Sequence, residues 1–317
     1  MQLDDFVQRG SAVSALIGDF RLNAMPSALL ITGESGTGKK TLAELLAKGL
    51  LCRADGNRPC GKCKSCKRCD QKTHADLLMP AENSSKKSIG VDELRRVLDA
   101  LSRHAFEGGT RVVLIKEAHR MTSQAQNCLL KSLEESEQGT FFILSADSEA
   151  AVLPTIRSRC RLLRMPPMED TLIAKELEKH FGKNEKTVKA AQDSGGSIGK
   201  AFKLMEDDSY WQAREIFEKT FLSVNAAGDI PAAAKQLKDM KDSSSLLLDI
   251  FDVFLSHAVR NKNELFPGWQ NADDSSLLSI REALLNARKQ IVSNVGWAAV
   301  SEELLLSVLK EKTRWQQ

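Results

Sequence analysis

Seven consecutive residues, Gly33-Glu34-Ser35-Gly36-Thr37-Gly38-Lys39, carry three glycines and a lysine at the spacing of a phosphate-binding loop. The glycines let successive backbone N–H groups converge on phosphate oxygens. The following helix adds the positive end of its dipole, and Lys39 reaches the outer phosphates. In such a loop the next residue is a serine or threonine whose hydroxyl holds magnesium. Here that position is Lys40, and Thr41 comes one residue late, rotated about 100° around the helix from the metal position. The second metal contact is normally an aspartate at the end of a buried strand, yet Val112-Val113-Leu114-Ile115 runs into Lys116 and Glu117. Two readings of the lysines stand. Either they fill the magnesium space or pair with Glu117, or they are solvated positions released once hydrolysis ceased to matter. Under both, Gly33, Gly36, Gly38, Lys39 and Thr41 form a degenerate loop that is expected not to turn over ATP. Mg2+ is not expected there, and ATP or ADP binding is left open.

A second cluster follows at once. Cys52-x7-Cys60-x2-Cys63-x2-Cys66 offers four thiolates, three of them at knuckle spacing, which suits a structural, tetrahedral Zn2+. Cys69 continues the rhythm as a fifth candidate, and His74 is a more distant one. Five of the seven cysteines lie between residues 52 and 69, a crowding that argues for metal over a disulfide framework. The nearby Arg53, Arg58, Lys62, Lys64, Lys67 and Arg68 suit either nucleic acid or the simpler task of offsetting the double negative charge of a zinc tetrathiolate. The simpler task is the preferred reading. Cys128 and Cys160 read as packed thiols. His119, which follows Lys116-Glu117, reads as a cap or packing group beside the helix that begins near Thr122.

The elements that must position these groups alternate. Residues 3–22 show helical periodicity through Phe6, Val7, Val13, Leu16 and Ile17. Ala28–Ile31 is a buried-type strand, the phosphate loop follows it, and a helix runs from Lys40 to Leu51. The cysteine stretch is too polar for a core element. Further strands are predicted at Asp76–Pro80, Val112–Ile115, Phe141–Leu144 and Leu162–Met165. Helices are predicted at Val91–His104 and Ser123–Glu135, the latter with Cys128, Leu129 and Leu133 inward. Such alternation implies a parallel sheet covered on both faces. Pro166-Pro167 marks a boundary, beyond which the pattern is helical throughout, interrupted at Gly195-Gly196. Leu246, Leu247, Ile250, Phe251, Phe254, Leu255 and Ala258 fall on one helical face, as do Leu304, Leu305, Val308 and Leu309.

The chain has 317 residues, enough for two or three domains, and a net charge of +3, which does not announce a nucleic-acid binder. No apolar run approaches the roughly 18–20 residues of a membrane span. The N-terminus lacks the basic stretch and apolar core of a secretory signal, so the cytoplasm is the expected location.

A phosphate loop followed by a four-cysteine module is an unusual order. With Val112–Glu135 (VVLIKEAHRMTSQAQNCLLKSLEE) and Leu153–Cys160 (LPTIRSRC), the chain resembles the clamp-loader family of AAA+ proteins. That family includes the gamma/tau and delta-prime subunits of bacterial DNA polymerase III and the eukaryotic replication factor C subunits. The resemblance covers most of residues 1–205. It implies an AAA+ α/β P-loop domain (1–166, zinc module about 52–69), a helical lid (167–207) and an all-α collar domain (208–317). The departures resemble the delta-prime branch: Lys40, Lys116, and Gly196-Ser197-Ile198-Gly199 where motor subunits carry a sensor arginine, as well as Thr73–Asp76 and Ser88–Asp92. The Ser158-Arg159-Cys160 motif implies that Arg159 acts in trans as an arginine finger on a neighbour's ATP, with Arg157 and Arg161 as rivals. Implied partners are gamma/tau and delta subunits, and through the assembly the sliding clamp and primed DNA; no membrane is implied. The alternatives are an ATP-hydrolysing gamma/tau-type motor, or a stand-alone zinc-containing nucleic-acid binder, for which the single tyrosine and 5% aromatic content offer few stacking platforms.

Overall fold

The computed structural model describes residues 2–81, 88–102, 105–106, 109–260 and 269–315. The chain divides into two compact units, Met1–Met168 and Glu169–Gln317.

The first unit is built on five strands: β1 (Ala28–Thr32), β2 (Leu77–Leu78), β3 (Arg111–Ile115), β4 (Thr140–Ala146) and β5 (Arg161–Arg164). They pair in the order β2-β3-β4-β1-β5, and every pairing is parallel. Parallel strands need crossover connections, and helices supply them on both faces. Period-two alternation divides the apolar runs between two cores. Leu29, Ile31, Val112, Leu114 and Ile143 pack beneath α1 (Ser11–Arg21) and α2 (Lys39–Leu51). Leu30, Val113, Ile115, Phe142 and Leu144 pack beneath α4 (Val91–Leu101) and α5 (Ser123–Glu134). The sheet is thus buried on both sides, which is why its central strands read as unbroken apolar stretches.

Register then gathers the chemistry. Thr32 pairs with Ala146 and Ile115 with Leu144, so the residues just past β1, β3 and β4 emerge at one edge of the sheet. These are the phosphate loop, Lys116-Glu117 and Asp147. The crevice outside the carboxyl ends of parallel strands is where open α/β sheets hold ligands.

Several predicted elements differ in detail. The helix expected over 3–22 is broken at Gly10 (φ 119°) into a 3-10 segment, Leu3–Arg9, and α1. The cysteine stretch contains a short helix, α3 (Lys64–Asp70), which buries Ser65, Cys66 and Cys69; metal-ligand spacing hid its periodicity. The strand expected at Asp76–Pro80 contracts to two residues. The helix expected to reach His104 ends at Leu101, and residues 103–104 lie outside the described residues.

The second unit is helical: α7 (Asp170–Phe181), α8 (Glu185–Asp193), α9 (Ile198–Glu206), α10 (Asp208–Phe217), α11 (Ile230–Lys238), α12 (Ser244–Arg260), α13 (Asp274–Val292) and α14 (Trp297–Trp315). A buried cluster ties α8 to α10, with the Tyr210 hydroxyl donating to Asp193 at 2.6 Å and Arg214 bonded to both Asp193 and Glu218. Phe217, Phe221, Phe251, Phe254, Trp269 and Trp315 form an aromatic core with ring separations of about 5–6 Å. Among the described residues no helix is long and apolar enough to cross a membrane.

The first loop glycine has a structural duty apart from any ligand. Gly33 has φ 150°, and a Cβ there would lie 2.5 Å from the carbonyl oxygen of Met165, just beyond β5. Gly33→Ala is therefore expected to destabilise the chain by about 1–3 kcal/mol, read from the denaturant midpoint. An unchanged midpoint would mean that the Met165 segment yields freely.

Candidate functional site

Gly36 and Gly38 adopt left-handed backbone, with φ 81° and 88°, and close the loop onto the start of α2. The loop is held from within. The Thr37 hydroxyl donates to the Glu34 carbonyl at 2.8 Å, and the buried Arg9 donates through Nη2 to the Thr37 carbonyl at 2.8 Å. Burial lowers the Arg9 guanidinium to about 10. Lys39 is buried, and its Nζ donates to the Glu34 carbonyl at 2.6 Å and pairs with Asp147 Oδ1 at 2.9 Å. Asp147 follows β4 directly and is itself held, its N–H donating to His119 Nδ1 at 3.2 Å. His119 therefore braces Asp147; the cap of α5 is Thr122, whose hydroxyl accepts the Ala125 N–H at 3.2 Å. The loop lysine has an internal carboxylate as its counter-charge.

The two anomalous lysines are also paired. Lys40 Nζ lies 2.8 Å from Glu117 Oε1, and Lys116 Nζ lies 2.7 Å from Glu44 Oε1. Arg120 donates to the other Glu117 oxygen at 2.7 Å. Of the two sequence readings, the structure has Lys40 paired with Glu117, whereas Lys116 turns to Glu44 on α2. Thr41 is not drawn into the loop: it lines a separate cavity of about 240 Å³ with Leu45, Lys48, Cys69 and Leu77, as its rotation around the helix requires.

Lys40 first, and Arg120 second, hold the Glu117 carboxyl down at about 2, against an ordinary 4.5. A depressed carboxyl pKa gives stability that is complete above the unfolded value and is lost as pH falls through the folded value. Glu117→Gln should thus lower stability fully at pH 7, with the difference from wild type fading between pH 4.5 and 2. Lys40→Met should raise the Glu117 midpoint towards 4.5 in an NMR titration. A midpoint unmoved by that change would assign the shift to Arg120.

The four-cysteine module is compact. The Sγ atoms of Cys52, Cys60, Cys63 and Cys66 all lie within 4.8 Å of one another, with Cys52–Cys63 at 4.0 Å and Cys60–Cys66 at 3.9 Å. Four sulfurs each about 2.3 Å from a tetrahedral zinc are about 3.8 Å apart. Backbone N–H groups turn towards the sulfurs: Cys60 to Cys52 at 3.4 Å, Cys63 to Cys60 at 3.4 Å and Cys66 to Cys63 at 3.3 Å. The N–H groups of Lys62 and Cys63 bring the Cys60 thiol down to about 6. The donor set and its spacing fit a dication. Cys69, the fifth candidate, lies outside the cluster, buried in the core beneath α2, where burial pushes its thiol up to about 11. His74 is engaged elsewhere, at 2.8 Å from the Ser65 hydroxyl and accepting the Asp76 N–H at 3.1 Å.

Arg159 sits at an exposed turn between α6 (Pro154–Arg157) and β5. Its Nε donates to Glu134 Oε1 at 2.6 Å and its Nη1 to the Thr155 carbonyl at 3.0 Å. Arg161 pairs with Asp19 at 2.5 Å, and Arg157 is half-buried with its Nε unpartnered among the described residues. Ser197 caps α9, accepting the Lys200 N–H at 3.2 Å, and Gly199, the second residue of that helix, is exposed. Sequence reasoning missed Arg9, Glu44, Glu134 and Asp147. Only Asp147 was detectable, as a carboxylate directly after a buried strand of a phosphate-loop sheet.

A phosphate loop on a parallel five-stranded sheet, with a cysteine module inserted after α2, defines a P-loop protein of the AAA+ class. The family model described as "DNA polymerase III, delta subunit" matches residues 8–169. The chain is 30% identical to the DNA polymerase III subunit delta' of Escherichia coli strain K12, covering 93% of this chain and 90% of that one. It is 27% identical to the delta' subunit of Bacillus subtilis strain 168, covering 92% and 93%. The DNA polymerase III subunit tau/gamma of Haemophilus influenzae is 30% identical over 64% of this chain and 30% of its own length. The chain belongs to the DNA polymerase III delta-prime family.

Proposed function

We propose that the chain is a non-hydrolysing subunit of the DNA polymerase III clamp loader, working beside gamma/tau motors and a delta subunit to place the sliding clamp on primed DNA. The observation that carries this reading is the internal pairing of the phosphate-loop cations. Lys39 and Lys40 are neutralised by Asp147 and Glu117, where a motor would hold phosphate and magnesium. A metal-nucleotide would have to displace two ion pairs and find no ligand hydroxyl at position 40.

In this role Arg159 is the arginine finger. A guanidinium is always charged and grips phosphate oxygens bidentately, so it stabilises charge developing on a neighbour's terminal phosphate. Its position on an exposed turn supports this, and the half-buried setting of Arg157 disfavours that rival; Arg161 is as exposed as Arg159 and is set apart by the Ser-Arg-Cys motif alone. Cys52, Cys60, Cys63 and Cys66 would hold a structural Zn2+, all four positions being filled by protein. Residues 167–207 serve as the lid and 208–317 as the collar. For the collar, α13 offers Leu278, Leu285 and Val292, which are exposed and seven residues apart, hence on one face suited to a helix of a neighbouring clamp-loader subunit.

The test is ATP turnover by this chain alone, then by the complex reconstituted with gamma-type and delta subunits. No turnover is expected alone, and Arg159→Ala should lower turnover at the neighbouring site by about 10³-fold or more. Turnover by the isolated chain, abolished by Lys39→Ala, would instead make it a motor. Separately, metal analysis should find zinc in the purified chain, and Cys63→Ser should lose it while Cys69→Ser retains it. Retention by Cys63→Ser would remove the tetrathiolate assignment.

A further inference from the structure

The cysteine module carries more positive charge than its metal would offset. Between Arg53 and Lys72 stand seven lysines and arginines against two carboxylates, Asp55 and Asp70. The segment is net +5 in a chain of net +3, so the rest of the protein is net −2. A zinc tetrathiolate carries two negative charges, and offsetting it uses two of the five. Compensation is thus too small to account for the cations.

Arg53, Arg68 and Lys72 are engaged in interactions of their own. Asp70 is taken by Lys48, whose Nζ lies 2.6 Å from each of its oxygens. Arg58 turns inward, with its guanidinium 5.8 Å from the centre of the Phe20 ring. Lys62, Lys64 and Lys67 are exposed, and their side chains make no hydrogen bond or ion pair with the described residues. Each is interleaved with a ligand cysteine, between Cys60 and Cys63, between Cys63 and Cys66, and just after Cys66. With the four sulfurs gathered within 4.8 Å, the ligands fix the backbone that displays these ammonium groups. Little chain entropy remains to be lost when an anion binds them.

We propose that this face binds the phosphate backbone of duplex DNA without reading sequence. Lysine offers a compact point charge, suited to phosphate and poor at bidentate base recognition. No Phe, Tyr or Trp lies between Cys52 and Asp76, so the stacking platforms that favour single strands are missing. Acidic protein would feel the same field, but DNA is the polyanion of the polymerase family to which the chain belongs. The surface acts independently of Arg159 and of the phosphate loop.

The experiment measures binding of the full zinc-loaded chain to a fluorescent duplex by anisotropy, across about 50–200 mM salt. Three proteins are compared: wild type, the triple variant Lys62→Ala, Lys64→Ala, Lys67→Ala, and the charge-preserving triple lysine-to-arginine variant. Each lost phosphate contact flattens the slope of log affinity against log salt by about 0.9, so the alanine variant should lose about 2.7 and the arginine variant almost nothing. Metal content is measured alongside. Should the triple alanine variant shed its zinc, single Lys62→Ala and Lys64→Ala proteins, each expected to lose about 0.9, carry the comparison. An unchanged slope, no duplex binding by wild type, tighter binding of single strands than of duplex, or preference for polyglutamate over DNA would each overturn the proposal.

Discussion

The constraint on which the phosphate-loop edge of this protein depends is charge balance around a loop that keeps its lysine. A buried ammonium group requires a counter-charge. In a hydrolysing relative the nucleotide supplies it; here Asp147 does, from the end of the neighbouring strand, and Lys40 and Lys116 find their own acids in Glu117 and Glu44. Parallel register delivers all of these groups to one edge. The same architecture that would cradle a triphosphate therefore stabilises a ring of internal ion pairs.

That arrangement keeps the form of a phosphate loop while its cations are neutralised from within. The loop glycines stay because the backbone path demands them: Gly33 meets the segment after β5, and Gly36 and Gly38 hold left-handed conformations. The loop is retained as a structural turn. In the proposed role the working groups lie outside the loop: an exposed arginine after α6, the cysteine module and an apolar stripe on α13.

Much of this was legible in the sequence. The sheet was readable because strands buried on both faces are runs such as Val112–Ile115, and the phosphate-loop defects because metal ligands admit few residue types. Cysteine spacing found the module, but geometry was needed to choose Cys52 over Cys69, since a regular rhythm does not tell which thiol turns towards the core. The break at Gly10 was hidden because apolar periodicity runs through it. Glu44 and Glu134 were not identified as partners, because an acid on a helix shows which cation it meets only after distant strands and helices are brought together; Asp147, directly after a buried strand, was the one that could have been found.

The ion pairs also bear on what it would take to build a magnesium site here. Restoring a magnesium site needs a hydroxyl at position 40 and an aspartate at position 116. Taken singly, the first leaves Glu117 with only half of its cationic support, and the second sets a new carboxylate where Glu44 now meets an ammonium at 2.7 Å. Each change strips a carboxylate of its cation, so the bound metal ion would itself have to supply the positive charge that Lys40 and Lys116 now bring to Glu117 and Glu44.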